Sequence, residues 1–175
     1  IKLADNGILK IGTGWDLDLY YNGSHSYISN STGNLTVLAD TLRIQNAGND
    51  EAIIEADANG GVRLFHNNVE KLECTALGVT VTGTIIATTD TDTSNTGNVT
   101  LDFAANQNFV LTLTGNTTLV NPSTEQVGQS GFIAFIQDGT GGRTITLGTD
   151  YETAGGVGIT LTSAASKTDL VPYVV

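Results

Sequence analysis

The stretch Asp16-Leu-Asp-Leu-Tyr-Tyr-Asn-Gly-Ser-His-Ser-Tyr-Ile28 decides the fold. Two runs of alternating residues flank Asn22-Gly23, a pair that tolerates the positive φ angles of a tight primed turn, so the segment reads as a β-hairpin. Forty-five residues further on, Val62-Arg-Leu-Phe-His-Asn-Asn-Val-Glu-Lys-Leu72 repeats the design. Leu19 matches Leu64, Tyr20 matches Phe65, Tyr27 matches Leu72, and Asn67-Asn68 stands where Asn22-Gly23 stood. Repeated short β units imply a structural element with one long axis more than a globular enzyme.

Outward from these hairpins the same reading predicts short strands at 8–11, 17–21, 25–28, 35–38, 42–45, 52–55, 62–65, 70–74 and 79–81, each closed by Gly, Asn or Asp. Each supplies few apolar side chains, and the short turns leave no crossover long enough to fold a thick second layer over them. The strands can therefore coil into a one-chain solenoid, or three copies can wind together so that each chain's apolar edge meets the other two. Oligomerisation is the usual remedy for a thin core and also hides strand edges, so the intertwined trimer is favoured.

Residues 86–97 are polar and lack a periodic apolar face, which reads as a linker. Beyond it the predicted strands are longer and more apolar: 99–103, 109–113, 132–136, 144–147, 159–161 and 170–175. Phe132–Ile136 is apolar on both faces, as expected of a strand inside a sheet covered on both sides, whereas Val99, Leu101 and Phe103 alternate. The expected architecture is all-β with no convincing helix: a β-repeat stalk over 1–85, the linker, and a β-sandwich or jelly-roll-like module over 98–175.

Eighteen acidic against seven basic residues give a formal charge of −11, and the cations are scattered at Lys2, Lys10, Arg43, Arg63, Lys71, Arg143 and Lys167. Nucleic acid and acidic membrane surfaces are disfavoured as partners, since both need clustered positive charge. No apolar run is long enough to insert across a bilayer as a helix. The single Cys74 excludes an internal disulfide framework and reads as a half-buried strand thiol. The opening Ile1-Lys-Leu-Ala-Asp, without a signal-peptide layout, and the strand-like ending Leu170–Val175 read as part of something longer.

Chemistry-bearing constellations are few. Asp90-x-Asp92-x-Ser94 alternates oxygen ligands as calcium loops do, but the sixth and twelfth positions hold Asn95 and Leu101, not Gly and an acid. His25 and His66 adjoin the two hairpin turns, where three copies could gather around an axis; solvated edge histidines are the simpler reading. No metal, cofactor or catalytic residue is assigned. Asp16 and Asp18 share a strand face without further machinery, Gly139–Gly142 reads as a turn, and no nucleophile context accompanies either histidine. The candidate contact residues are Trp15, Tyr20, Tyr21 and Tyr27, aromatic faces beside Asp16, Asp18 and Asn22 that could stack on a sugar while polar groups bind its hydroxyls. Alternation sends Tyr20 and Tyr21 to opposite faces, so only part of this cluster can form one platform.

Ile8 to Ile28, Leu42-Arg-Ile-Gln-Asn46, Ala56 to Leu64 and Thr75 to Gly83 resemble the repeats of tail-fibre-like virion structural proteins of tailed phages, especially marine ones. Gly131 to Ile145 is similar to a β module near the ends of such proteins. The resemblance implies a trimeric appendage on the virion, hung from the tail or decorating the capsid, and carries over no functional residue. The favoured expectation is a non-enzymatic homotrimeric tail-fibre component involved in host attachment, with other virion proteins and a host surface glycan as partners. A capsid decoration or cement protein, a polysaccharide-degrading spike and a monomeric glycan-binding module are the competing expectations.

Overall fold

The computed structural model describes residues 3–175, which divide into two compact units between Gly83 and Thr84. Unit 1 contains β1 (Ile8–Ile11), β2 (Leu17–Tyr21), β3 (Ser26–Asn30), β4 (Thr41–Gln45), β5 (Ala52–Asp57), β6 (Val62–His66), β7 (Val69–Thr75) and β8 (Gly78–Val81). Strands β1-β2-β3 form one antiparallel sheet and β4-β5-β6-β7-β8 another.

The sequence repeat is a structural repeat. Leu9 pairs with Leu19 across β1 and β2, and 45 residues on Ile54 pairs with Leu64 across β5 and β6 in the same register. The two hairpin turns differ in kind. Asn67 and Asn68 both have positive φ, 50° and 57°, and join His66 to Val69 as a two-residue primed turn. In the first hairpin Tyr21 pairs with Ser26, which leaves a four-residue loop in which Gly23 takes φ 92°. There the Asn22 side-chain carbonyl accepts the N–H groups of Ser24 at 3.0 Å and His25 at 2.9 Å. A register shift between Leu64 and Phe65 absorbs the difference in loop length.

Alternation separates each unit 1 sheet into unlike faces. Across the five strands Leu42, Ala56, Val62, Cys74 and Val79 form one cross-strand row, and Ile44, Ile54, Leu64, Leu72 and Val81 the next on the same face. The other face carries Arg43, Glu55, Arg63 and Glu73 in register. Glu55 pairs with Arg43 at 3.3 Å and with Arg63 at 3.4 Å, and Arg63 also bonds Asp57. In the first sheet the equivalent cross-strand pair has its signs exchanged, Lys10 against Asp18 at 3.1 Å. Each such exposed pair contributes only about 0.2–1 kcal/mol, so the charged face fixes strand register more than it stabilises the sheet. No described residue of unit 1 is buried; Val62 and Leu64, in the middle of the apolar face, are 43% and 39% exposed.

Unit 2 contains β9 (Thr89–Val99), β10 (Asn108–Leu119), β11 (Ser130–Gln137), β12 (Ile145–Leu147) and β13 (Thr168–Val174), with one 3-10 turn at Ala154–Gly156. They form one sheet built on β10. That strand pairs in parallel with β9, with β11 through Phe109–Leu113, and with β12 through Thr117–Leu119; β13 adds antiparallel to β11. Phe109, Leu111, Leu113, Leu119, Ile133, Phe135 and Ile145 bury one face of this sheet, and Leu101 and Phe103 from the β9–β10 crossover join them. Tyr151, Ile159 and Leu161 close the flank.

Four expectations need correction. The segment expected as a polar linker over 86–97 largely belongs to β9, because backbone pairing with β10 makes it a strand although most of its side chains face solvent. Asp90 and Asp92 stand opposite Phe109 and Leu111, so charges occupy the outermost strand of the sheet, a common guard against edge pairing. The expected two-sheet sandwich over 98–175 is instead a single mixed sheet, covered on its core face by extended segments; Leu101, Phe103, Ile159 and Leu161 have apolar alternation but no strand partners. The strand expected at 35–38 is absent too, and Leu38 is almost fully exposed. Finally, β11 is internal to the sheet as expected, but within unit 2 only one of its faces has a full cover, and Leu170 beside Ala134 on the other is 64% exposed.

The loop after β11 is tightly organised. Gln137, 2% exposed, receives the Arg143 N–H at 2.8 Å and donates to the Arg143 carbonyl at 2.9 Å. Gly141, at φ 73°, lies where a Cβ would come within 2.5 Å of the Ser163 carbonyl, so no larger residue fits. Asp138 bonds Arg143 at 2.8 Å and accepts the N–H groups of Gly141 at 2.9 Å and Thr140 at 3.0 Å. The Arg143 guanidinium, then the Gly141 amide, hold its carboxyl below the usual 3.8. The group binds its proton more weakly folded than unfolded, so its contribution is complete above about pH 4 and is lost as pH falls through the lowered folded value. Asp138→Asn is expected to flatten the acid limb of unit 2 stability; urea midpoints between about pH 2 and 5 measure this, and an unchanged limb would refute the role.

Candidate functional site

The first sheet positions the aromatic candidates. Tyr20 and Tyr27 are cross-strand partners on β2 and β3, and their rings stack with centroids 4.7 Å apart. The Tyr27 hydroxyl accepts a hydrogen bond from the Asn22 side-chain amide at 3.2 Å, and His25 meets Tyr27 edge-on at 6.4 Å. Lys10 and Asp18 occupy the neighbouring register position on the same face. Lys10 Nζ also lies 5.5 Å from the Trp15 ring centroid, within cation–π range. Trp15, Tyr20 and Tyr27 thus belong to one polar-aromatic face of the sheet. Tyr21 alternates to the opposite, apolar face with Leu17 and Leu19.

Trp15 is the unusual member. It is 63% exposed and has φ 56°, a left-handed conformation that costs a non-glycine residue about 1–2 kcal/mol. The turn around it is well defined: Trp15 N–H donates to the Gly12 carbonyl at 3.1 Å, and the Asp16 carboxylate accepts the Thr32 hydroxyl at 3.0 Å. The second repeat closes the matching turn with a Gly60 N–H to Asp57 carbonyl bond, and there the left-handed residue is Asn59, at φ 61°, with glycine at the position of the tryptophan. A large exposed ring held in a strained backbone position is an expensive way to close a turn, and strain of this kind concentrates at contact sites.

The remaining candidates are not brought together. Among the described residues no group of three or more His, Cys, Asp or Glu side chains is placed to hold a metal ion. Asp90 and Asp92 are spread along β9, and Cys74 is exposed on the apolar face of β7, not half-buried. A feature that sequence reasoning missed lies in unit 2, where a cleft of about 570 Å³ opens between the 148–159 segment, β13 and the residues after β10. Its lining comes from segments distant in sequence, and only the folded chain reveals it.

The comparisons bear on the chain as a whole. No curated protein and no solved structure matches it. Residues 79–174, which cover all five strands of unit 2 and most of β8, match the family described as "Putative phage tail fibre C-terminal domain". The match spans more than half of the 175 residues, and it agrees with the all-β architecture and with a structural, virion-associated role. The chain belongs to this phage tail fibre C-terminal domain family.

Proposed function

We propose that the chain is a non-enzymatic structural component of a phage tail fibre that assembles as a homotrimer through the apolar faces of unit 1 and contributes to host attachment through the opposite face. The observation that carries this is the continuous apolar face of β4–β8 in a unit with no buried described residue. An uncovered face of this kind is unusual on a soluble single chain and marks an interaction surface. Both sheets present such a face, Leu9-Leu19-Ile28 in the first and Ile54-Leu64-Leu72 in the second; the first two positions are displaced by the 45-residue repeat and the third by 44, through the shorter loop of the second hairpin. An occupant that covers both in the same manner must repeat at the same spacing, as another copy of this chain does. Three copies around one axis turn these faces inward and leave the charged rows in water.

The tail is the position we favour over the capsid surface, because the family match is to a fibre domain. Other virion proteins would meet the remaining surface of unit 2, where Leu170 and Val174 are exposed. In this arrangement Tyr21 is covered with the apolar face, whereas Trp15, Tyr20 and Tyr27 face outward as the host glycan platform. Identical platforms on three chains raise avidity without strong individual contacts.

Cys74 supplies the test of assembly, since it sits on the apolar face between Val62 and Val79. Its labelling by a thiol reagent is expected to be at least about tenfold slower in the native protein than in urea; equal rates would contradict coverage by sister chains. For attachment, Trp15→Ala is expected to weaken binding to isolated host surface glycan about tenfold while the assembled mass stays unchanged. Undiminished binding would remove Trp15 from the platform, and release of new reducing ends from that glycan would overturn the non-enzymatic reading.

A further inference from the structure

We infer that the free edge of β3 takes residues 35–38 of a sister chain as a fourth strand, so that the copies exchange strands around their axis. The inference rests on the homotrimer proposed above and identifies the backbone edge that joins its chains. Both halves of the contact are open in the single chain. Strand β3 ends the first sheet and pairs only with β2, and Ile28 on it is 66% exposed. Leu35-Thr-Val-Leu38 has no ladder partner, and its three apolar side chains are 53%, 63% and 90% exposed. An open sheet edge and an unpaired run of strand formers in one chain invite pairing.

The second repeat displays the kind of strand that this edge accepts. There β8 pairs antiparallel with β7, with Leu72 opposite Val81, Glu73 opposite Thr80 and Cys74 opposite Val79. Moved back by 44 residues, the offset between Ile28 and Leu72, Val79-Thr80-Val81 falls on Leu35-Thr36-Val37. The three pairs become Ile28 with Val37, Ser29 with Thr36 and Asn30 with Leu35. The row Leu9-Leu19-Ile28 then gains Val37, as Ile54-Leu64-Leu72 gains Val81. Thr36 joins Ser29 on the polar face.

The chain's own segment does not reach β3 by the route that β8 uses. Thr75 and Gly78 face each other across a two-residue turn, and such a turn needs its two flanking residues to bond each other. The matching flank in the first repeat is Ser31, whose N–H already donates to the Asp16 carbonyl at 2.8 Å. Beyond it the Asn30 side-chain amide holds the Thr32 and Gly33 carbonyls at 2.9 and 3.1 Å. The segment is therefore left for a neighbour's edge, and around a three-fold axis such a head-to-tail exchange closes into a ring.

Cysteine cross-linking in the full chain tests the exchange. Ser29→Cys and Thr36→Cys, both at exposed positions, are combined in a Cys74→Ser background. Residues directly opposed on neighbouring strands lie within disulfide reach. Under mild oxidation the double variant is expected to run at the mass of covalent dimers and trimers in denaturing, non-reducing gels, while each single variant stays at the mass of one chain. A link formed within one chain, no link, or equal linking in the single variants would each overturn the exchange. Light scattering of the double variant before oxidation separates this from assembly itself. A trimer that does not cross-link contradicts the strand exchange alone, whereas a single-chain particle contradicts both.

Discussion

Leu64→Asp is expected to convert the assembled protein to single chains. Leu64 lies on the central strand of the five-stranded sheet, paired with Ile54 on one side and Leu72 on the other. In an isolated chain the residue is 39% exposed, and an aspartate there would remain solvated at little cost. In the assembly the same substitution places one carboxylate per chain in an apolar interior without a cation to pair with. Each costs several kcal/mol after relaxation, so three copies together exceed the usual stability of about 5–15 kcal/mol. Ser29→Asp, on the polar-aromatic face beside Lys10 and Asp18, is the matched control and is expected to leave the mass unchanged. Sedimentation velocity reads both variants. If Leu64→Asp stays assembled, this face is not the interface.

Phe109→Ala is expected to have the largest effect on unit 2. Phe109 is 0% exposed, meets Phe103 edge-on at 5.1 Å between centroids, and approaches Tyr173 at 6.4 Å. Truncation removes the ring from the point where β10, the crossover and β13 converge. Cavities of this size cost about 3–5 kcal/mol. For a unit of this length that lowers the midpoint of thermal unfolding by roughly 12–40 °C, since 1 kcal/mol shifts it by about 4–8 °C. Calorimetry should show the loss in unit 2 while protection of Cys74 in unit 1 survives. A shift below about 5 °C would mean that the cluster around Phe109 does not carry the unit's stability.

The two predictions call on different physics because the two units solve burial differently, and the sequence showed that contrast well. In unit 1 alternation and turn chemistry leave little freedom: Asn67-Asn68 closes β6–β7, Gly23 takes the positive φ of β2–β3, and the repeat appears again as an identical register between Leu9-Leu19 and Ile54-Leu64. Eight of the nine strands expected there lie within two residues of the observed ones at either end, while 35–38 has no ladder partner. Unit 2 was harder to read because side-chain pattern and backbone pairing diverge. Strand β9 looks like a linker because most of its side chains meet water, yet its backbone pairs with β10. Leu101 and Phe103 look like a strand because they alternate, yet they cover the core from a crossover.

The candidate sites divide along the same line. Stacking of Tyr20 on Tyr27 and the exclusion of Tyr21 follow from strand parity, which sequence supplies. The strain at Trp15 does not follow from parity, since it depends on turn geometry: the left-handed residue is Trp15 in the first repeat and Asn59, one register position earlier, in the second. The cleft was illegible for a simpler reason: Leu119, Glu125, Ile133 and Tyr151 converge through crossovers that carry no periodic signal.

The assembly of unit 1 is the claim on which the functional account stands. Its most direct test is the mass of the intact chain in solution, measured by light scattering across the micromolar range. The account predicts three times the 18.2 kDa of one chain, independent of concentration. A stable particle of 18.2 kDa would contradict it.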